Sequence, residues 1–158
     1  MPRVEVERIT TLFNAIYDGE AWHGPSINEI LDGITAGMAV YRPTPQVHNI
    51  AELTVHMTNW RVFALEKLTG SETYDIILNS EADWTRIDSL TPEKWEEIKS
   101  NLQDTQEELV ETLNRINSKK LSDPVPGRRY TYYILLHGLM EHDIYHSGQL
   151  SLLKKMQL

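Results

Sequence analysis

His142 and His146 stand four residues apart in the segment Glu141-His142-Asp143-Ile144-Tyr145-His146-Ser147-Gly148-Gln149. On a helix that spacing turns the chain by about 400°, leaving the two imidazoles roughly 40° apart and about 6 Å along the axis. Both can reach one point, and that point suits a metal ion. Leu135, Leu139, His142, His146, Gln149 and Leu153 follow alternating steps of four and three, the inward stripe of a packed helix, and the stripe turns polar in its middle. A histidine in such a place must be hydrogen-bonded, metal-bound or open to a pocket, because an unpaired buried polar group costs roughly 1–3 kcal/mol. Two satisfied core histidines are therefore the alternative to a pair of ligands.

Two imidazoles on one helix fill only half of a tetrahedral shell, so a third ligand must come from another helix. His56 is the best placed candidate, three residues after Leu53 and four before Trp60 on an apolar helical face. His48 falls in a turn before Asn49, a place that is commonly exposed. His137 lies five residues before His142, about 140° around the helix, and points elsewhere. His23 sits in a turn region and can line a pocket. Three neutral imidazoles would leave the ion's charge uncompensated and a coordination position open, the pattern of a catalytic site. Such an ion lowers the pKa of a water toward 7 or stabilises a thiolate. Zinc and nickel are the expected metals, with iron and manganese also suited to imidazole. The chain has no cysteine, so the ligands must offer nitrogen or oxygen and any thiol must arrive with the substrate.

Around these histidines, Glu52 is the nearest acid for a base or ligand-orienting acceptor, although its capping-box role, the favoured reading, explains it without catalysis. Gln149, three residues from His146, can orient a ligand or a water, or simply contact another helix. These two are the weak candidates for catalytic residues. Asp143 is expected on the flank of the bundle, about 100° from His142. Gly148 is expected to permit a close helix approach. Trp22, Trp60 and Tyr145 can wall a pocket or belong to the core.

Helical elements must position these groups. Val6, Ile9, Phe13 and Ile16 predict a first helix over about residues 4–17. Ser26 with Glu29 opens a short accessory helix toward Leu31, and Gly33, Gly37, Pro43 and Pro45 mark an irregular connection. Asn49 with Glu52 caps a second long helix, which carries His56 and ends at Gly70. Residues 71–90 show no sustained period and read as a loop with one short helical turn. Thr91-Pro92-Glu93 starts a helix that runs through Ile116, Pro124 and Pro126 break the chain, and the last helix spans about Thr131 to Met156. With no strand alternation and no repeat, the expected class is all-α: a four-helix bundle with a short accessory helix, whose core is a natural place for a metal.

A length of 158 residues suits one domain, taken here as 1–158. The net charge of −8, with no basic cluster longer than two residues, argues against nucleic-acid or anionic-membrane partners. No apolar run can cross a bilayer, and the amino terminus lacks a signal peptide's apolar stretch, so a cytoplasmic location is expected.

Three segments share a further pattern: Trp22-His23-Gly24-Pro25-Ser26, then His48-Asn49-Ile50-Ala51-Glu52-Leu53 leading to His56-Met57-Thr58-Asn59-Trp60, then His142 through Gln149. Together, in this order and over nearly the whole chain, they resemble the DinB-like (DinB/YfiT) superfamily of metal-dependent enzymes. The resemblance implies an up-down-down-up four-helix bundle, often a homodimer, with a divalent metal on His56, His142 and His146. It also implies a thiol-dependent transferase or isomerase acting on a small molecule with a low-molecular-weight thiol such as bacillithiol, mycothiol or glutathione. The leading expectation is a small-thiol S-transferase. A metal-dependent hydrolase and a non-catalytic helical stress or ligand-binding protein are the alternatives.

Overall fold

Local signals explain where each helix begins and ends. In the computed structural model, which describes residues 4–158, the elements are α1 (Val4–Asp18), α2 (Ile27–Leu31), α3 (Ala36–Val40), α4 (Ile50–Leu68), α5 (Pro92–Arg115), a 3-10 turn at Ser118–Ser122 and α6 (Tyr132–Lys155). The amino-terminal reading given above falls in part on residues 1–3, outside the described residues. Ser26 and Asn49 both form full capping boxes, with Glu29 and Glu52 returning a carboxylate to the cap's own N–H. Thr91 caps α5 ahead of Pro92. Gly70, at φ 100°, takes the left-handed conformation that closes α4. The connection expected to be irregular holds a second short helix, α3, capped by the Thr35 hydroxyl. Five residues are too few to show a helical period in the sequence.

Side-chain contacts settle the direction of the four long helices. The end of α1 reaches α2 through Asn28 and Asp18. The start of α4 meets the end of α3 through Asn49 and the Val40 carbonyl, and the start of α5 lies beside the same segment, Trp95 donating to the Ile34 carbonyl at 2.7 Å. The end of α6 arrives there too, with Lys154 bonded to the carbonyls of Ile30 and Asp32 and Gln157 to that of Met38. So α1 and α6 end where α4 and α5 begin, which is up-down-down-up order. α4 packs on α5 and α6, and α1 packs on the same two, leaving α1 diagonal to α4. Because neighbours α4 and α5 point the same way, residues 69–91 must travel back along α4, about 28 Å for its 19 residues. No strand forms among the described residues, and no helix there is long and apolar enough to cross a membrane.

The core is one hydrophobic cluster, crossed by a buried polar line. Arg61 on α4 donates to Asp143 on α6 at 2.8 Å and to Gln106 on α5 at 2.6 Å, and Gln106 donates to Asn14 on α1 at 3.1 Å. All four long helices are thereby joined. Arg61 and Asp143 are both 0% exposed. This corrects the expectation that Asp143 sits on the flank. The buried stripe of α6 runs through Leu136, Leu139, Asp143, His146, Leu150 and Leu153, with His142 and Gln149 at its edge. Burial pushes the Asp143 carboxyl upward and the Arg61 guanidinium opposes it. The Tyr17 ring lies against Arg61, its phenol pushed up to about 12, chiefly by burial. Gly148 is exposed, and a Cβ there would meet nothing within 4 Å, so it mediates no close helix approach.

A second network fastens the start of α4. The Glu52 carboxylate, 1% exposed, takes two bonds from Arg42 at 2.6 and 2.9 Å, one from the His48 Nδ1–H at 3.0 Å and one from the Ile87 N–H at 2.9 Å. Burial alone would raise its pKa. Arg42, Ile87 and His48 together outweigh that and hold it down at about 2.

Two expectations follow for metal-free protein in urea denaturation. Asp143→Ala should lose about 3–5 kcal/mol by leaving the buried Arg61 charge without its counter-ion, whereas Arg61→Met combined with Asp143→Leu should lose much less. For Glu52, the folded pKa lies below the unfolded value of 4.5, so its stabilisation is present above about pH 4.5 and is lost as pH falls toward 2. Glu52→Gln should remove on the order of 3 kcal/mol at pH 7 and flatten the stability profile across that acid window.

Candidate metal centre

α4 carries His56 and α6 carries His142 and His146 to the interface between the two helices, where their ring nitrogens lie within 4.8 Å of one another. His142 Nε2 is 2.9 Å from His56 Nε2 and 3.1 Å from His146 Nε2. His56 and His146 are each 5% exposed, and His142 is half-buried at the rim.

The outer nitrogens decide what the inner ones can offer. His56 Nδ1–H donates to the backbone carbonyl of Asp83 at 2.8 Å, with the Asp83 carboxylate also 3.1 Å away. His146 Nδ1–H donates to the amide oxygen of Gln149 at 2.7 Å. Both rings are thus held in the tautomer whose Nε2 carries a bare lone pair, and both lone pairs face His142 Nε2. One proton on His142 can satisfy at most one of them. At least one N···N contact of about 3 Å therefore sets lone pair against lone pair, an arrangement that a cation relieves. Nitrogen ligands about 2.0–2.1 Å from one tetrahedral ion stand roughly 3.3 Å apart. Two edges of the triangle fall a few tenths of an ångström short of that spacing. The donor set fits a divalent ion, and His142 Nδ1 remains buried without a partner.

Electrostatics favour the neutral, ligating form of all three rings. Burial pushes the His142 pKa down to about 3, with His146, His56 and Arg61 adding to the effect. Burial also lowers His56, against the opposing pull of Asp83, and lowers His146, against its bond to Gln149. No proton need be displaced from an imidazolium at neutral pH.

Asp83 and Trp84 were not singled out as site residues in the sequence, because they lie in the aperiodic segment 71–90. The returning connection delivers both. The Asp83 carboxylate accepts the Asn79 N–H at 2.8 Å, with Asn79 at φ 61°, and accepts the Trp60 indole N–H at 3.0 Å. These bonds fix the carbonyl that His56 uses. Trp84 lies between His48 and His56, with centroid distances of 3.7 and 3.6 Å and ring planes within 7° of parallel. A buried acid beside an aromatic in a loop was the available signal, but burial is invisible without the fold.

The remaining candidates divide clearly. Gln149 holds His146, the orienting role considered for it. Glu52 is fully engaged by Arg42, His48, Ile87 and its cap, and none of these is one of the three histidines. His48 is partly exposed and touches the cluster only through Trp84. His137 lies against Tyr133 with the rings tilted at 42°, outside the cluster, and His23 is exposed. Trp22 is wholly exposed, whereas the ring centroids of Trp60 and Tyr145 lie 6.0 Å from that of His142 and 5.0 Å from that of His146.

The geometry agrees with comparison to known proteins. No functionally curated protein matches the chain. The sequence pattern of the DinB superfamily, however, matches residues 22–150, which include all three histidines, both halves of the Asp83-Trp84 pair and Gln149. With most of its length matched in this way, the chain belongs to the DinB superfamily.

Proposed function

We propose that the protein is a metal-dependent S-transferase, in which His56, His142 and His146 hold one divalent ion, zinc or nickel, and a low-molecular-weight thiol is joined to a small electrophile. The observation that carries the metal is the opposed lone pairs on three buried, neutral imidazoles. The thiol assignment is supported by family membership, and a chain without cysteine needs that thiol from outside. When bound, a divalent ion with three neutral ligands supplies Lewis acidity that favours the anionic form of a thiol near neutral pH.

The chain's own groups do the rest by holding position. Asp83 and Gln149 keep two rings in the ligating tautomer, and Trp84 fixes the plane of His56. α4 and α6 hold the ligands on rigid elements, as a preorganised site requires. Glu52 is saturated with donors and the Asp83 carboxylate is engaged by Asn79, Trp60 and His56, so neither stands ready as a base, and the thiol proton leaves to solvent. The transfer forms one S–C bond as one bond from carbon to its leaving group breaks, with the electron pair departing on that group.

Protein purified without a nickel column should contain about one zinc or nickel per chain by mass spectrometry, and His142→Ala should contain almost none. Asp83→Asn should weaken metal affinity about 10- to 100-fold while leaving the helical content unchanged. With bacillithiol, mycothiol or glutathione and an aryl halide, turnover should fall at least about 100-fold in His56→Ala. A folded protein that takes up no metal after reconstitution would sink this reading. Metal uptake with no turnover for any thiol would leave a binding protein in its place.

A further inference from the structure

Two clefts approach the histidine cluster, and they differ in chemistry. On one side, Gln149 and His48 line a cleft of about 360 Å³ with Gln46, Leu53 and Leu152. On the other, a groove of about 300 Å³ runs between α4 and α6 and ends on His142. Its walls are Trp60 and Phe63 from α4, Ile134, Leu135 and Leu139 from α6, and Tyr130; no charged side chain lines it. Its volume lies at the small end of ligand sites, which run from about 300 to 1,000 Å³.

Gly138 leaves the groove open along α6. It sits in the interior of α6, where glycine is less stable than alanine, and a Cβ added to it would meet nothing within 4 Å. Close packing against another helix therefore does not account for it. A bare backbone at this position widens the groove one turn before His142. Ile134, one turn earlier on the same face, is 53% exposed, so an apolar side chain faces the opening.

We infer that this groove binds the apolar body of the electrophilic substrate, an uncharged alkyl or aryl group, and presents its reactive end to the cluster at His142. The inference rests on the proposed metal site only for where the reactive end lies. The apolar lining favours carbon over charge: each methylene placed there leaves water, while an ionised group would be desolvated, and the Arg128 guanidinium over the Phe63 ring is already paired with Asp75. The cleft beside Gln149 and His48, which offers hydrogen-bonding groups, is left to the more polar co-substrate.

Two experiments test the groove and the metal separately. Titration of 2-naphthol into metal-free protein, followed by ¹H–¹⁵N correlation spectra, should move the amides of Phe63, Ile134, Gly138 and Leu139. Gly138→Leu, which fills the groove, and Ile134→Glu, which charges its rim, should each abolish those shifts while keeping a folded spectrum. In zinc-loaded protein, octanohydroxamate should bind at least about tenfold more tightly than acetohydroxamate, the equivalent of burying two extra methylenes. Gly138→Leu should erase that preference while leaving acetohydroxamate affinity and zinc content unchanged. Naphthol shifts elsewhere, or none, overturn the inference even where zinc binds normally. Equal affinity for the two hydroxamates overturns it as well. A mass that doubles with concentration in the wild type but not in Gly138→Leu, with no naphthol shifts, would assign the groove to a second copy and also overturn it. A chain that takes up no zinc defeats the proposed function, and the naphthol spectra still decide the groove.

Discussion

α4 and α5 lie side by side and run the same way, so the chain must retrace the length of α4 before α5 can begin. Antiparallel neighbours need only a short turn, whereas parallel ones require a long return. Here the return reaches the histidine cluster at His56 and is pinned there by Asp83 and Trp84. Topology thus supplies the hydrogen-bond acceptor that sets the tautomer of His56. The three histidines occupy ordinary helical positions; the group that would make His56 a good ligand comes from the connection that the fold obliges.

A second constraint acts within the core. Four helices with apolar faces can slide or rotate against one another at modest cost, but a buried charge pair tolerates little displacement. The line from Asn14 through Gln106 and Arg61 to Asp143 touches every long helix once. Asp143 is the neighbour of His142 in sequence, so the rotation of α6 that satisfies Arg61 also decides where His142 and His146 point. Stability gained from this pair is small beside that of the apolar core. Its service is to choose one rotation of α6, and the site inherits that choice.

Much of this was legible in the chain. Capping boxes at Ser26 and Asn49, Pro92 after Thr91 and the closing Gly70 are local signals, and local signals survive without a fold. The three histidines were legible because their spacing is helical and because the matched segments occur in family order. Asp143 was misplaced because an acid on a helix is normally solvated, and what reverses that rule is an arginine 82 positions away. Asp83 and Trp84 escaped for a related reason: their partners lie on other elements, and no periodicity marks a loop that is held only by tertiary contacts. Gly148 was assigned a packing role that Gly138, on the same helix, does not fill either.

The chain order of the ligands has a consequence for how the site comes into being. His56 lies in the second long helix, the segment that orients it follows some 27 positions later, and His142 and His146 wait for the last element of the bundle. During synthesis, the first three long helices emerge before α6 and carry only one of the three imidazoles. A nascent chain at that stage has no high-affinity site for a stray ion. Docking of α6 completes the core, the charge pair and the histidine triad together, so an ion that needed all three imidazoles would find them only in a finished fold.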